Sequence, residues 1–254
     1  MKRLNEKVIL LAGAGGIGTG LALRYAAEGA KLVIADINPQ AASVLTEAVN
    51  NQGGRAIAVT MDGADESSAT AAVASCVSQF GGLDGLHANF ASMADSDPTL
   101  GVADLPLAVF DELQRVNARG FFVCTRAAVP EMLKRGGGSI VYTSSAAAYN
   151  AGSGQVAYAM SKAAIHALMR HVANRYGSEG IRANAIAPAL TFDEAIEPHL
   201  PQELIDWAKA GAAIKSRIGR PSDIAALGAL LLSDEGAYVT GQVINADGGT
   251  IMRA

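Results

Sequence analysis

Residues 7–30 read KVILLAGAGGIGTGLALRYAAEGA, an apolar run followed by a cluster of glycines and a helix-like segment. The apolar run at residues 7–12 predicts a strand that is buried on both faces of a parallel sheet. Residues 13–18 satisfy the pattern G-x-G-x-x-G, and the segment after them predicts a helix that ends at Gly29. An isolated G-x-G-x-x-G is a weak signal, but strand, glycine turn and helix in this order are the context of a dinucleotide site.

The glycine turn is suited to an anion for two reasons. Glycines let the backbone approach a pyrophosphate closely, and the N-terminus of the following helix stabilises the negative charge. A tight strand-to-helix turn that binds nothing is the alternative explanation.

The next strand, residues 31–36, ends in Asp36. An acidic side chain at this position can accept hydrogen bonds from the ribose of adenosine, and it repels a 2′-phosphate. Neither the glycine turn nor residues 36–39 contain an Arg or Lys that could neutralise such a phosphate. This pattern favours NAD over NADP, although an Asp at a strand end can also serve only as a helix cap.

Strands and helices alternate along the rest of the chain. Further strands are predicted at residues 55–62, 83–89, 136–145, 181–186 and 241–249, with helices at residues 41–53, 66–80, 109–133, 157–176 and 221–232. We expect Ser222 to cap the last helix and residues 192–220 to form a mobile substrate flap. No linker or repeat interrupts the pattern, which predicts one doubly wound α/β domain over residues 1–254, with a parallel seven-stranded sheet and helices on both faces.

The composition excludes several classes of function. Half of the residues are hydrophobic and the mean hydropathy is +0.23, which predicts a large core. Only 17% are charged and the formal net charge is −4, so the charge does not predict nucleic-acid binding. No apolar run approaches the ~20 residues that a membrane-spanning helix needs. The basic start and short apolar run suggest a signal peptide, but direct continuation into the glycine turn favours a strand.

Cysteine and histidine positions do not predict a metal site. Cys76 and Cys124 lie in apolar or helical contexts without metal-ligand spacing, as expected for packing residues of a reducing, cytoplasmic protein. His87 lies inside a predicted strand, where a core histidine with satisfied hydrogen bonds is the simplest interpretation.

Chemistry is concentrated in residues 144–169, which contain Ser145, Tyr158 and Lys162. Tyr158 and Lys162 are four residues apart on a predicted amphipathic helix and therefore share one face. A neighbouring ammonium favours the phenolate, so we expect the pKa of Tyr158 to lie below its usual ~10. Such a tyrosine could act as an acid or base near neutral pH. A Tyr-x-x-x-Lys pair alone is a weak signal, because it is often only a solvated helix surface.

Asn117 lies in the middle of the helix predicted at residues 109–133. Asn is unfavourable inside a helix, so its presence there suggests a specific role, with a solvent-facing side chain as the alternative.

With these residues assembled, the chain resembles the short-chain dehydrogenase/reductase family over essentially its whole length. Ser145 follows Asn117 by 28 residues, Tyr158 follows Ser145 by 13, and Lys162 completes the family's catalytic tetrad four residues later. IRANAIAP and VTGQVINADGG match two further family segments. The chain departs from the family in its glycine turn, which is one residue shorter than usual, and at Phe90 and Ala91, where small residues are usual.

The resemblance implies a set of functional residues and a mechanism. Tyr158 would take the alcohol proton during hydride transfer to nicotinamide, Lys162 would hold the ribose, Ser145 would orient the substrate oxygen, and Asn117 would position a water. The implied cofactor-binding residues are Gly13, Gly15, Gly16, Ile17, Gly18, Asp36, Asp62, Gly63, Asn89, Ala91, Tyr158, Lys162, Pro188 and Thr191.

The leading hypothesis is an NAD-dependent oxidoreductase that interconverts a secondary alcohol and a ketone. A 3-oxoacyl-carrier-protein reductase is an alternative within the enzymes: Glu179 stands where such enzymes often have Arg, whereas Lys134 and Arg135 keep that reading open. A dinucleotide-binding protein without catalysis is a further alternative.

Substrate specificity in this family resides in segments that correspond to residues 92–106, 146–156 and 192–220. The sequences of these segments do not indicate one substrate. The apolar surfaces of the helices at residues 111–133 and 157–176 predict a homo-oligomer, with a tetramer expected from the resemblance.

Overall fold

The computed structural model of the chain describes residues 2–93, 97, 99–150 and 155–252. Seven strands in this part of the chain form one sheet with the order β3-β2-β1-β4-β5-β6-β7, and every neighbouring pair is parallel. The predicted fold class is therefore confirmed. Parts of two predicted specificity segments, at residues 94–96, 98 and 151–154, lie outside the described residues.

The strands are close to their predicted positions. Their bounds are β1 Val8–Ala12, β2 Lys31–Asp36, β3 Arg55–Thr60, β4 Gly85–Ala88, β5 Gly138–Thr143, β6 Ile181–Pro188 and β7 Val243–Ala246. All five residues of β1 are buried, as expected for a strand covered by helices on both faces.

Helices connect the strands. Their bounds are α1 Ile17–Ala27, α2 Pro39–Asn51, α3 Glu66–Phe80, α4 Leu107–Gln114, α5 Gly120–Lys134, α6 Val156–Tyr176, α7 Gln202–Gly211 and α8 Pro221–Leu232. Short 3₁₀ turns lie at Ala146–Ala148, Gly177–Glu179, Glu197–His199 and Asp234–Gly236. In the described part of the chain, no helix is long and apolar enough to cross a membrane.

The core has two halves, one on each face of the sheet. Helices α3, α5 and α6 pack on one face, for example through Ala72, Phe121 and Ile165. Helices α1, α2 and α8 cover the other face, for example through Leu21 and Ile224. Alternate residues of each strand point to opposite faces, so the apolar runs predicted from the sequence contribute to both halves.

The helix predicted at residues 109–133 is not a regular α-helix. A π-helical turn at Arg115–Arg119 separates α4 from α5, and Asn117 lies at the centre of this turn. Such π turns inside α-helices occur frequently at functional sites. The unfavourable Asn in the sequence thus marks a real irregularity of the helix.

The cap of α8 differs from the expectation. The helix begins at Pro221 and its N-cap residue is Arg220, so the prediction of Ser222 as the cap is wrong. Pro is favoured at the first helical position, because its ring fixes a suitable φ and it has no N–H to satisfy. Asp223 accepts a hydrogen bond from the Arg220 backbone N–H at 2.9 Å, which completes the start of the helix.

The flap at residues 192–220 is attached at both ends. Its base is closed by a parallel bridge between Thr191 and Gly219. Within the flap, after α7, the N–H groups of Ala213 and Ile214 both donate to the Gly248 carbonyl at 2.9 Å. Helix α7 lies between these attachments and exposes 65% of Trp207.

Candidate active site

The carboxyl ends of β1 and β4 lie next to each other where the strand order reverses. In open parallel sheets this switch point is the usual position of a ligand crevice. The glycine turn follows β1 directly, and Gly13 has φ of 108°, a value that disfavours any residue with a side chain.

Two glycines, one at each end of the turn, are required by close backbone approaches. A Cβ on Gly18 would lie 2.2 Å from the Gly13 carbonyl oxygen, so only glycine permits this close approach. A Cβ on Gly13 would lie 2.6 Å from the Phe90 nitrogen. The shortened turn is therefore tightly specified by its own backbone.

The other two glycines of the turn, Gly15 and Gly16, border open space. A Cβ on Gly15 or Gly16 would have no atom within 4 Å. Gly16 is the N-cap residue of α1, and no side chain caps this helix. An open backbone cradle at an uncapped helix N-terminus has the shape and polarity to receive a phosphate group.

Asp36 lies at the end of β2 with its carboxylate directed at this turn. Its Oδ2 accepts a hydrogen bond from the Ala14 N–H at 2.7 Å, and its Oδ1 accepts from the Asn38 N–H at 2.8 Å. Each oxygen retains a lone pair for a further donor. No Lys or Arg in the described ranges forms an ion pair with Asp36. A fixed negative charge therefore borders the cradle.

Asp62 and Gly63 follow β3 on the same edge. The Asp62 carboxylate accepts from the Ala64 N–H at 2.9 Å and pairs with Arg115 at 3.4 Å. A Cβ on Gly63 would lie 2.5 Å from Cζ of Phe90, so the missing side chain makes room for this ring. Gly120 accommodates the same ring from α5, and Phe90 packs against Phe121 with ring centroids 4.9 Å apart.

Asn117 holds the loop after β4. Its Oδ1 accepts from the Ser92 N–H at 2.7 Å, and its Nδ2 donates to the Ser92 carbonyl at 2.9 Å. Asn117 is fully buried, so the alternative of a solvent-facing side chain is wrong. Ala91, which precedes this clamp, is exposed.

Ser145, just after β5, and Tyr158, in the first turn of α6, lie close together. Ser145 is the N-cap of the 3₁₀ turn at Ala146–Ala148, where its Oγ accepts from the Ala147 N–H at 3.1 Å. Its side chain also hydrogen bonds to Tyr158. The two residues therefore lie together in a polar region at the carboxyl edge of β5.

Lys162 lies one turn further along α6 and is only 1% exposed. Its Nζ donates to the Thr143 carbonyl at 3.0 Å and lies 4.9 Å from the centroid of the Phe121 ring and 5.7 Å from that of Tyr158. Burial lowers the pKa of Lys162 to about 7, because the charged ammonium loses its hydration.

The expectation that the pKa of Tyr158 lies below its usual value is wrong. Burial raises the pKa of Tyr158, and the hydrogen bond with Ser145 lowers it by a smaller amount. Desolvation therefore decides the direction of the shift, because a buried phenolate loses its hydration. The sequence spacing shows proximity, but it contains no information about burial.

Sequence reasoning missed His166, which lies four residues after Lys162 on the same face of α6. Its Nε2 and the Ser144 Oγ are 2.7 Å apart, and its ring stacks on Tyr149 at 5.0 Å. Tyr158, Lys162 and His166 recur at intervals of four residues, so continuing the helical spacing would have found it.

Pro188 and Thr191 lie at the end of β6, next to the site. Pro188 is buried as the last residue of the strand. The Thr191 hydroxyl donates to the Ala189 carbonyl at 2.9 Å, while its backbone forms the bridge at the flap base. The described residues contain no group of three or more His, Cys, Asp or Glu that could hold a metal ion.

Comparisons with known proteins agree with this architecture. A family model described as Enoyl-(Acyl carrier protein) reductase matches residues 11–250. A probable short-chain type dehydrogenase/reductase of Bradyrhizobium diazoefficiens is 38% identical over 252 residues, covering 99% of this chain and 89% of the relative. The 7alpha-hydroxysteroid dehydrogenase of Escherichia coli K12 is 34% identical over 250 residues, covering 98% and 96%.

A solved structure extends the similarity to three dimensions. It is a 7 alpha-hydroxysteroid dehydrogenase complexed with NADH and 7-oxo glycochenodeoxycholic acid. The TM-score is 0.90 at 32% sequence identity, and the alignment covers 99% of this chain and 96% of the other. The similarity is high over the whole length of both chains.

The burial of Lys162 predicts a pH-dependent stability. The folded-state pKa is depressed, so the unfolded chain binds more protons between about pH 7 and the ordinary lysine value, and stability rises with pH across this window. At pH 6 the folded chain must bury a full charge. We therefore expect Lys162→Met to raise the Tm relative to the parent more at pH 6 than at pH 9.5, by ~2 °C or more.

The measurement is thermal unfolding of both proteins at the two pH values. Lys215→Met, at an exposed position, is the matched control and should show the same small difference at each pH. An equal shift for Lys162→Met at both pH values would contradict the desolvated lysine.

Proposed function

Because the chain belongs to the short-chain dehydrogenase/reductase family of oxidoreductases, we propose that it interconverts a secondary alcohol and a ketone with NAD as cofactor. The observation that supports this proposal most strongly is the grouping of Ser145, Tyr158 and buried Lys162 beside an open glycine cradle. A proton-transfer group and a phosphate-binding turn at one sheet edge suit hydride-transfer chemistry, for which the cofactor supplies the hydride acceptor.

The described residues fit such a cofactor. The open backbone at Gly15 and Gly16, together with the N-terminus of α1, would hold the pyrophosphate. The carboxylate of Asp36 would accept from the adenosine ribose. The other proposed contacts are Gly13, Ile17, Gly18, Asp62, Gly63, Asn89, Ala91, Tyr158, Lys162, Pro188 and Thr191, all in segments at or next to the carboxyl edge of the sheet.

Tyr158 would exchange the proton with the substrate oxygen, which the Ser145 hydroxyl would orient. In oxidation the phenolate is the base. Burial raises the pKa of Tyr158, so oxidation should favour alkaline pH and reduction should proceed with the neutral phenol as the acid. Lys162 already lies near the Tyr158 ring, and its Nζ would hold the nicotinamide ribose when the site is filled. Asn117 would act through the fixed Ser92 loop and the π turn, where it would position a water.

The carrier-protein reductase is less well supported. Lys134 and Arg135 each pair with a carboxylate of this chain, Glu131 at 2.6 Å and Asp84 at 2.8 Å, which weakens their availability to an acidic carrier. The relative from Escherichia coli is named as a steroid dehydrogenase, which favours a small-molecule alcohol as substrate. If the chain only bound a dinucleotide, the burial of Lys162 would have no explanation, because removing an ammonium group from water is unfavourable.

Compartment and assembly are also part of the proposal. Cys76 and Cys124 are buried free thiols, in keeping with a reducing cytoplasm. Phe122 on α5 and Met160 on α6 are 53% and 51% exposed, which would suit a symmetric contact between copies of the chain. We propose a homotetramer.

NAD(H) should bind much more tightly than NADP(H), because Asp36 repels a 2′-phosphate. Asp36→Ala should reduce the difference in binding free energy between the two cofactors by on the order of 1–3 kcal/mol, through loss of a charge-assisted hydrogen bond and a repulsion. Dissociation constants for NADH and NADPH give this ratio directly. Asp104→Ala, at an exposed loop position, should leave it unchanged. Equal affinities in the parent protein would refute the role of Asp36.

Tyr158→Phe should leave NADH binding nearly unchanged and slow turnover by the ~10²–10⁴-fold typical of a lost general acid or base. Tyr176→Phe, on the same helix, is the matched control and should retain activity. The assay is initial rate across pH with NAD and a panel of sugars, steroids, hydroxy acids and secondary alcohols. For an active parent, the oxidation rate should rise with pH through the alkaline range, and an active Tyr158→Phe enzyme would end this mechanism.

Sedimentation at micromolar concentration should show a tetramer. Phe122→Asp should shift the protein towards smaller species, since it places a charge in the proposed contact. Val44→Asp on α2, where the side chain is 54% exposed, replaces an equally exposed apolar residue and should leave the tetramer intact. A monomeric parent protein would rule out the proposed assembly.

A further inference from the structure

A continuous series of hydrogen bonds runs from the glycine turn into the core. Asn89 Nδ2 donates to the Gly13 carbonyl at 3.2 Å, and Asn89 Oδ1 accepts from the Thr143 hydroxyl at 2.9 Å. Thr143 Oγ1 lies 3.0 Å from His87 Nε2, and His87 Nδ1 lies 2.6 Å from the Tyr25 hydroxyl. Tyr25 and His87 are fully buried, and Thr143 is 6% exposed.

The Gly13 carbonyl, at the glycine-turn end of the series, sets the direction of every hydrogen bond in the series. A carbonyl oxygen can only accept, so Asn89 must present its amide nitrogen to Gly13 and its amide oxygen to Thr143. Thr143 has one proton, which goes to Asn89, and its oxygen must therefore accept from His87. His87 is consequently protonated on Nε2, and its Nδ1 accepts from Tyr25.

His87 can satisfy this arrangement in one tautomer only. Burial lowers its pKa to about 3, so the ring is neutral and has a single N–H. Without the Tyr25 hydroxyl, the proton could move to Nδ1. Nε2 would then accept from Thr143, and Asn89 would lose the partner that orients it towards Gly13.

The series also closes a ring through the backbone. Tyr25 belongs to α1, the helix that begins directly after the glycine turn. The turn is thus held at Gly13 by the side chain of Asn89, and its other end continues into α1, the helix that contains Tyr25. A Cβ on Gly228 would lie 2.1 Å from the Tyr25 oxygen, so α8 provides the space for this hydroxyl.

Thr143 connects this series to the catalytic residues. Its hydroxyl donates towards the glycine turn, while its carbonyl accepts from Lys162 Nζ at 3.0 Å. One residue at the end of β5 therefore has a part in fixing both halves of the site.

We propose that Tyr25 and His87 are positioning residues that hold the glycine turn in its binding shape by fixing the tautomer of His87. This inference rests on the proposed function of the turn as the cofactor site. Neither residue touches the cradle itself, so both act through Thr143 and Asn89.

The test compares two isosteric variants that each remove one buried tyrosine hydroxyl. Tyr25→Phe removes the donor to His87, whereas Tyr142→Phe removes the hydrogen bond to Thr125, which is 2.8 Å long and outside the series. Both tyrosines are fully buried, so similar losses of Tm are expected. The Kd for NADH should rise about threefold to thirtyfold for Tyr25→Phe and less than twofold for Tyr142→Phe.

A second pair of variants tests the connection through Thr143. Thr143→Val should weaken NADH binding at least as much as Tyr25→Phe, and Thr143→Ser should restore it, because serine retains the hydroxyl. The double variant Tyr25→Phe/Thr143→Val should bind like Thr143→Val alone, since a broken series cannot be broken again. Additive losses would overturn the proposal.

A spectroscopic readout separates positioning from general destabilisation. The chain has four histidines, so ¹⁵N-histidine spectra can follow the His87 tautomer. Tyr25→Phe should move it away from the Nε2-protonated form, and Tyr142→Phe should not. An unchanged tautomer and equal Kd values in both variants would refute the role of Tyr25 and His87. Absence of NADH binding by the parent protein would instead refute the cofactor site.

Discussion

All strands of the sheet run parallel, so their carboxyl ends meet at one edge, and the candidate site depends on this constraint. Asp36 is the last residue of β2, and Gly13, Asn89 and Ser144 come directly after three other strands, far apart in sequence. Reversal of the strand order between β1 and β4 opens a crevice there, because the helices that follow these strands cover opposite faces. The fold thereby converts scattered residues into one polar site.

The site is assembled at a considerable electrostatic cost. Lys162 is almost fully buried with the Thr143 carbonyl and an aromatic ring as its neighbours, and burial lowers its pKa to about 7. Burial also raises the pKa of Tyr158. A stability-driven core would contain apolar residues at such positions, since burying a charge is unfavourable unless it is paired. Two neighbouring groups with perturbed pKa values support the proposed catalytic role, because such groups cluster at functional sites.

Missing side chains shape the site as much as the side chains present. Gly18 permits the close approach of the Gly13 carbonyl, Gly63 receives the Phe90 ring, and Gly228 receives the Tyr25 hydroxyl. Phe90 replaces the small residue usual in the family, and its ring packs between Gly63, after β3, and the start of α5. Interiors are densely packed, so each added ring or hydroxyl needs a compensating vacancy in a neighbouring element.

The sequence alone determined the fold class and the approximate positions of the seven strands, because hydrophobic periodicity and glycine punctuation are local properties of the chain. The tetrad follows from the resemblance to the family, and its catalytic role is part of the proposed function. It predicted that Tyr158 and Lys162 share a helix face, and that His87 is a core residue with satisfied hydrogen bonds, which the structure confirms. Only the tertiary structure decided the direction of the Tyr158 pKa shift, the π turn at Asn117 and the hydrogen-bond series from Tyr25 to Gly13. Burial and long-range hydrogen bonds depend on which elements pack together, and spacing along one chain does not encode that.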